Sequence, residues 1–287
     1  MRTANILCAI SLAITFSFVR PLDAEPSKET FGSNVIGEVY KHASGDDLWI
    51  YRFQPDHHDP STDCCPAVVF FFGGGWNGGS VHQFEKHAAY LAQRGIVAFL
   101  ADYRVKNRQG TSPDACVRDG KSAIRWIRAN AARLGVDPER IGAGGGSAGG
   151  HVAAATGICN GFEDPADRNR ETSSKPNALL LFNPVYDNGP DGYGHSRIKE
   201  HFPAISPAHN ITPDDPPTLV FLGSNDELIP VSVAEKFDAD LKKAIDDLYS
   251  TESIYSIDTE EISPSSILSE TNPQNSPNNR HGVYDKM

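Results

Sequence analysis

The chain is poor in cysteine, has no cluster of basic residues, and carries one extended apolar run, and each shortage excludes something. Lys and Arg number 26 against 37 Asp and Glu, a formal net charge of -11. Nucleic-acid binders replace phosphate counterions with basic patches, so this acidity excludes that class and points only to solubility. The apolar run, Ile6 to Val19, is shorter than the ~20 residues a spanning helix needs, and no later run approaches that length. Arg2 before it and Leu22-Asp23-Ala24 after it give the layout of a secretory signal peptide over residues 1–24. A secreted or periplasmic protein with no membrane span after cleavage is expected.

Of the five cysteines, Cys8 falls in that leader, leaving Cys64, Cys65, Cys116 and Cys159. An oxidising compartment permits disulfides, but four cysteines allow three pairings. Vicinal Cys64 and Cys65 make a strained mutual bond, so either one pairs with Cys116 or the thiols are free. No metal motif is apparent. His195, His201 and His209 are too dispersed, and Asp56, His57, His58 and Asp59 read as a solvated loop. No internal repeat is present, and no cofactor is implied.

What is present is an alternation of short apolar runs and helical patterns. Leu48 to Phe53, Ala67 to Phe72, Ile96 to Ala101, a strand at Ile141, Ala178 to Phe182 and Thr218 to Leu222 read as strands. Between them, the pattern around Phe84–Leu91, the stripe from Ala123 to Leu134, Ala148 to Ile158, and Ala234 to Leu248 read as helices. Ser112 is the expected N-cap of the second, Pro113 its first turn and Gly135 its end. Such alternation predicts an α/β fold with a mostly parallel sheet and helices on both faces. Residues 25–245 form one domain in this reading. Two polar loops, Asn160 to Pro176 and Tyr186 to Pro217, are long enough to shape a pocket. From residue 246 to 287 the composition turns to Ser, Asn, Pro and acidic residues. Ser253 to Ile257 reads as a weak strand, and the rest as a disordered tail.

Two glycine-rich segments carry chemistry. Gly145-Gly146-Ser147-Ala148-Gly149 follows a strand and opens a helix, the context of a nucleophile elbow. Its glycines relieve a turn too tight for side chains, and the hydroxyl then stands near a helix N-terminus that favours negative charge. A dinucleotide-binding loop is the competing pattern, but it belongs in the first βαβ unit, and this stretch comes too late. Phe72-Gly73-Gly74-Gly75-Trp76 follows another strand directly. Backbone N–H groups aimed at a developing oxyanion lower an acyl-transfer barrier by about 3–4 kcal/mol each, and glycines permit the close approach.

These segments occur with Asp102-Tyr103-Arg104, Ser122-Ala123-Ile124-Arg125-Trp126, His151 after the elbow, and Gly223-Ser224-Asn225-Asp226 with Ile229-Pro230 beyond. Together, from about Glu38 to Ala244, the chain resembles the α/β-hydrolase superfamily, in the esterase/lipase branch related to hormone-sensitive lipase and bacterial acetyl-ester hydrolases. Phe72 stands where many members have His. The resemblance implies Ser147 as nucleophile, Asp226 as the acid with Glu227 its neighbouring competitor, and the N–H groups of Gly74, Gly75 and Ala148 as an oxyanion hole. His151 reads as a buried structural histidine, and Asp102 and Arg104 as a structural polar cluster. The implied activity is hydrolysis of short-chain acyl esters, with acetyl esters of a sugar or plant polymer as the expected substrates and no nucleic-acid partner. The competing reading is a catalytically impaired or non-catalytic binding protein on a hydrolase scaffold.

That competition turns on the base. The superfamily order is Ser, acid, His, and the only histidine after Asp226 is His281, before Gly282 and Val283. Its separation, 281 − 226 = 55 residues, exceeds the roughly 25–35 that one helix, a short strand and two loops occupy. Either 246–279 is an insertion and His281 folds back as the base, or the C-terminal element is incomplete, through a frame change near Ala244, and the base is lost.

Overall fold

The computed structural model describes residues 28–246 and 254–258. The signal peptide, His281 and most of the polar tail lie outside them. Eight strands form one sheet: β1 Ile36–Ala43, β2 Asp46–Phe53, β3 Cys65–Phe71, β4 Val97–Ala101, β5 Val136–Gly146, β6 Ala178–Phe182, β7 Thr218–Leu222 and β8 Ile254–Asp258. Their spatial order is β1-β2-β4-β3-β5-β6-β7-β8. β1, β2 and β4 pair antiparallel, and every pairing from β4 to β8 is parallel. The helices are α1 Glu85–Ala92, α2 Lys106–Gln109, α3 Pro113–Ala129, α4 Ala131–Leu134, α5 Ala148–Ile158, α6 His195–Ile198, α7 Phe202–Ile205 and α8 Val231–Asp246.

Alternation along β3 shows how the sheet is covered. Phe70 stacks on Phe84, just before α1, at 4.9 Å. Phe71 points to the other face, where a β-carbon on Gly120 of α3 would lie 3.6 Å from its ring. Helices therefore cover both faces, and strands buried on both sides carry unbroken apolar runs. Every residue of α5 is buried, which suits a helix of small and apolar residues interrupted only by His151 and Thr156. Among the described residues no helix is long and apolar enough to cross a membrane.

Several boundaries depart from the sequence pattern. β1 was not expected. It forms a hairpin with β2 through Ser44 (φ 56°) and Gly45 (φ 83°), the two positive-φ positions of a tight two-residue turn. The long helix expected to Leu134 breaks at Asn130, whose side-chain amide donates to the Trp126 carbonyl at 2.8 Å. The Gly135 cap (φ 63°) therefore ends α4 instead. The weak strand read at Ser253 to Ile257 is present, shifted by one residue to Ile254–Asp258, and pairs with Thr218–Leu222 to extend the parallel sheet. The four cysteines are free thiols, and buried Cys116 donates its S–H to the Arg104 carbonyl at 3.1 Å.

A buried ion network ties the antiparallel edge to the helical layer. Asp119 on α3 is fully buried. It accepts from Lys41 Nζ of β1 at 2.8 Å, and from Arg104 Nε at 2.8 Å, Nη2 at 2.7 Å and N–H at 2.9 Å. Lys41 also meets Asp164 at 2.6 Å, while Arg125 pairs with Glu163 and Asp167. Arg104 thus joins a polar cluster as expected, whereas Asp102 pairs separately with Arg108 at 2.5 Å. Asp119→Ala leaves two buried cations short of an acceptor, and should cost about 3–5 kcal/mol in urea-unfolding free energy. A loss below about 1 kcal/mol would show that the network relaxes without its central carboxylate.

Candidate active site

β5 ends at Gly146 and α5 begins at Ala148, so Ser147 alone makes the turn. Its backbone sits at φ 53°, ψ −120°, a conformation costly for a residue with a side chain. Hydrogen bonds hold it there. Ser147 N–H donates to the Phe182 carbonyl at 3.0 Å, and the Ser147 carbonyl accepts from His151 N–H at 3.0 Å and Val185 N–H at 3.3 Å. The turn also requires α5 to touch β3. A β-carbon on Gly149 would stand 2.1 Å from the Phe71 carbonyl oxygen and 2.3 Å from that of Phe72.

The triple-glycine loop lies against the same turn. A β-carbon on Gly73 would be 3.2 Å from Ser147 Cβ. Three side chains to which the sequence pattern assigned no contact here fasten this loop or the strand end before it. Gln83 Oε1 accepts from Gly73 N–H at 2.6 Å, and Arg197 Nη1 donates to the Gly75 carbonyl at 2.7 Å. Tyr103 O–H donates to the Phe72 carbonyl at 2.5 Å while its ring stacks on Phe72 at 4.2 Å. Arg197 comes from the polar loop 186–217 and Tyr103 from the strand-end motif, so each had a sequence signal without an assigned contact. Ala148 is N1 of α5, where a helix leaves its N–H without an intrahelical acceptor.

His151 is fully buried between neutral partners. Trp76 Nε1 donates to its Nδ1 at 3.3 Å, and its Nε2 donates to the Ile205 carbonyl at 3.0 Å. Burial lowers its pKa to about 4, so the ring is neutral and structural, as its position in the motif suggested.

Asp226 follows β7 and reaches the site through β6. Its Oδ2 accepts from Asn183 Nδ2 at 2.7 Å, one residue after the Phe182 carbonyl that binds Ser147. Its Oδ1 accepts from the N–H groups of Leu228 and Ile229, both at 2.8 Å. Burial opposes its ionisation, but the Ile229 N–H, the Asn183 amide and the Leu228 N–H outweigh it and hold the carboxyl below its ordinary value. Glu227 is exposed. The geometry thus ties Ser147, Gly73, Ala148 and Asp226 to one end of the parallel sheet, while His281 falls outside the described residues. A cavity of about 480 Å³ lined by Tyr40, Lys41, Arg125, Trp126 and Asp167 includes no residue of this cluster. The site is therefore placed by the strand ends, not by cavity size.

A strained serine at a strand-to-helix turn, a glycine loop beside it and an acid after a later strand define a protein of the α/β-hydrolase fold. Comparisons agree. The BD-FAE family model matches residues 54–187. Esterase 2 of Thermogutta terrifontis, solved phosphoramylated by tabun, superposes with a TM-score of 0.72 at 38% identity, over 84% of this chain and 86% of that one. The same esterase with propionate bound gives 0.72 at 39% identity, over 79% and 84%. Esterase LipC of Mycobacterium tuberculosis is 30% identical over 67% of this chain and 50% of its own length. The chain thus spans about half the length of the curated relatives it matches. It belongs to the esterase/lipase family of α/β-hydrolases.

The two shifted groups set an acid response. Asp226 has a lowered folded pKa, so its contribution is complete above the ordinary carboxylate value and is lost as pH falls through the lowered one. His151, at about 4 against 6.5 unfolded, makes the unfolded chain bind the extra proton first, so stability also falls between pH 6.5 and 4. Unfolding midpoints should decline over that range, and NMR at pH 6 should show His151 protonated on Nε2 only. A doubly protonated ring at pH 6 would contradict this arrangement.

Proposed function

We propose that this chain hydrolyses short-chain carboxylic esters through an acyl-enzyme on Ser147. The observation that carries the reading is the positive-φ turn at Ser147 with the Gly73 backbone packed against it. In the proposed reaction Ser147 Oγ attacks the ester carbonyl and gives its proton to the base. The N–H groups of Gly74, Gly75 and Ala148 receive the tetrahedral oxyanion. The base returns the proton to the departing alcohol, leaving an acyl group on Ser147. Water then attacks that acyl group, its proton passing to the base and on to the Ser147 oxygen as the acid is released. Asp226, kept ionised by its three donors, orients the base and stabilises its charged form.

We assign the base to His281, the one histidine that follows Asp226. Short acyl chains are supported by the relative solved with propionate bound. Export to the periplasm or medium, read from residues 1–24, makes acetyl esters of carbohydrates the substrates to try first.

The test is p-nitrophenyl acetate turnover by the full chain. Ser147→Ala should lower kcat by roughly 10⁴–10⁶-fold with an unchanged melting midpoint. Equal rates would reject Ser147 as nucleophile. His281→Ala should lose a comparable factor; wild-type rates in that variant would remove His281 from the mechanism. A folded wild-type chain that binds ester ligands by calorimetry without turning them over would instead be a binding protein on this scaffold.

A further inference from the structure

The loop between β2 and β3 and the first residue of β3 gather three side chains that the ester chemistry does not use. His58 Nδ1 lies 3.0 Å from Asp63 Oδ2 and 3.8 Å from Cys65 Sγ, and the three donor atoms all fall within 4.8 Å of one another. The sequence pattern had suggested a solvated loop of Asp56, His57, His58 and Asp59. The fold selects a different set, and the His58 side chain is wholly buried.

The group is held from several sides. His58 Nε2 is 2.9 Å from the Leu134 carbonyl oxygen. The ring packs so closely on Gly135 that a β-carbon there would stand 2.7 Å from His58 Cε1. Cys65 N–H donates to the Gly135 carbonyl at 2.9 Å, and Asp59 N–H donates to Asp63 Oδ2 at 2.8 Å.

The hydrogen bonds pose a question. A carbonyl oxygen only accepts, so Nε2 carries the proton that meets Leu134. Nδ1 of the neutral ring would then aim its lone pair at Asp63 Oδ2, also an acceptor. Two acceptors 3.0 Å apart need a cation between them. A proton on Nδ1 is one answer, with the Cys65 sulfur, 3.8 Å from that nitrogen, as a weak hydrogen-bond partner. A metal ion uses all three donors. An imidazole nitrogen, a carboxylate oxygen and a thiolate suit zinc, whose bonds of about 2.0, 2.0 and 2.3 Å at tetrahedral angles separate donors by about 3.3–3.6 Å. Two of the separations, 3.0 and 3.8 Å, bracket that range and all three lie within 4.8 Å, so binding would draw the Asp63 and Cys65 side chains together about one ion. The Nε2–Leu134 bond would fix the tautomer that frees Nδ1 for the metal.

We propose that His58, Asp63 and Cys65 bind a zinc ion, with a fourth position open to water. Cys65 pairs with Val136 at the start of β5, whereas Ser147 follows the end of that strand. The site therefore lies at the opposite end of the sheet from the ester chemistry; the metal would close the end of the β2–β3 connection on itself, and the His58 Nε2 contact with the Leu134 carbonyl ties it to the end of α4. Binding displaces the thiol proton and any proton on Nδ1 to solvent, with no change of oxidation state.

Cobalt titration of the reduced, chelator-treated full chain tests this. A thiolate-to-cobalt charge-transfer band should saturate at one cobalt per chain and disappear on adding zinc. Cys65→Ser should abolish the band, Asp63→Asn should weaken binding at least about tenfold, and Cys64→Ser should leave it intact. Zinc should raise the melting midpoint of the wild type but not of Cys65→Ser, and ester turnover should be the same in both. No band in the wild type, or a band that survives in Cys65→Ser, would leave His58 and Asp63 as a simple ion pair. Should Cys65→Ser fail to fold, wild-type cobalt affinity in Asp63→Asn would overturn the site equally.

Discussion

The constraint on which the site depends is the contact between the first turn of α5 and the end of β3. The backbone of Gly149 lies against the carbonyl groups of Phe71 and Phe72, closer than any side chain permits. That approach forces the chain to reverse within one residue, which puts Ser147 at φ 53°. It also sets the glycine loop that follows β3 beside the serine. One close packing contact therefore specifies both the turn at Ser147 and its distance from the loop. The conformational cost at Ser147 is offset by hydrogen bonds to Phe182, His151 and Val185 and by the burial of the whole of α5.

Around this contact the polar groups divide by place. At the strand ends they are few, directed and mostly neutral: Gln83, Tyr103 and His151 bind backbone groups, and Trp76 holds the His151 ring. Charge concentrates elsewhere, in the network of Lys41, Arg104, Asp119, Asp164, Arg125, Glu163 and Asp167. Buried pairs of this kind add little over apolar packing but are costly to break, so they specify how β1 and the 160–176 loop dock on α3. The result is a sheet with one end given to the candidate site and its antiparallel edge tied to α3 by ion pairs.

Much of this was legible beforehand where the physics is local. Phe70, Phe71 and Phe72 in succession required a strand buried on both faces. Gly145 to Gly149 after one strand and before a helix required a sharp turn. Asp226 after Thr218–Leu222 was placed by order along the chain. β1 was missed because its Ile, Val and Tyr are interleaved with Gly, Glu, Lys and His, a weak alternation that gains its partners only from β2 and α3. The break at Asn130 was missed because a side-chain bond to Trp126, not a loss of helical periodicity, ends α3.

The alternating α/β order, the sharp turn at Ser147 and the glycine-rich run after β3 could be read from the chain alone, because each depends on residue type within a few positions. Tertiary structure alone decided which side chains fasten that loop, since Gln83, Tyr103 and Arg197 meet it from separate elements. It decided that Asn183 rather than a solvent molecule holds one oxygen of Asp226. It also selected His58, Asp63 and Cys65 from a loop rich in histidine and aspartate. Spacing along a loop does not reveal which side chains turn inward. That follows only when β3 and the start of β5 come into register and Gly135 closes on the His58 ring.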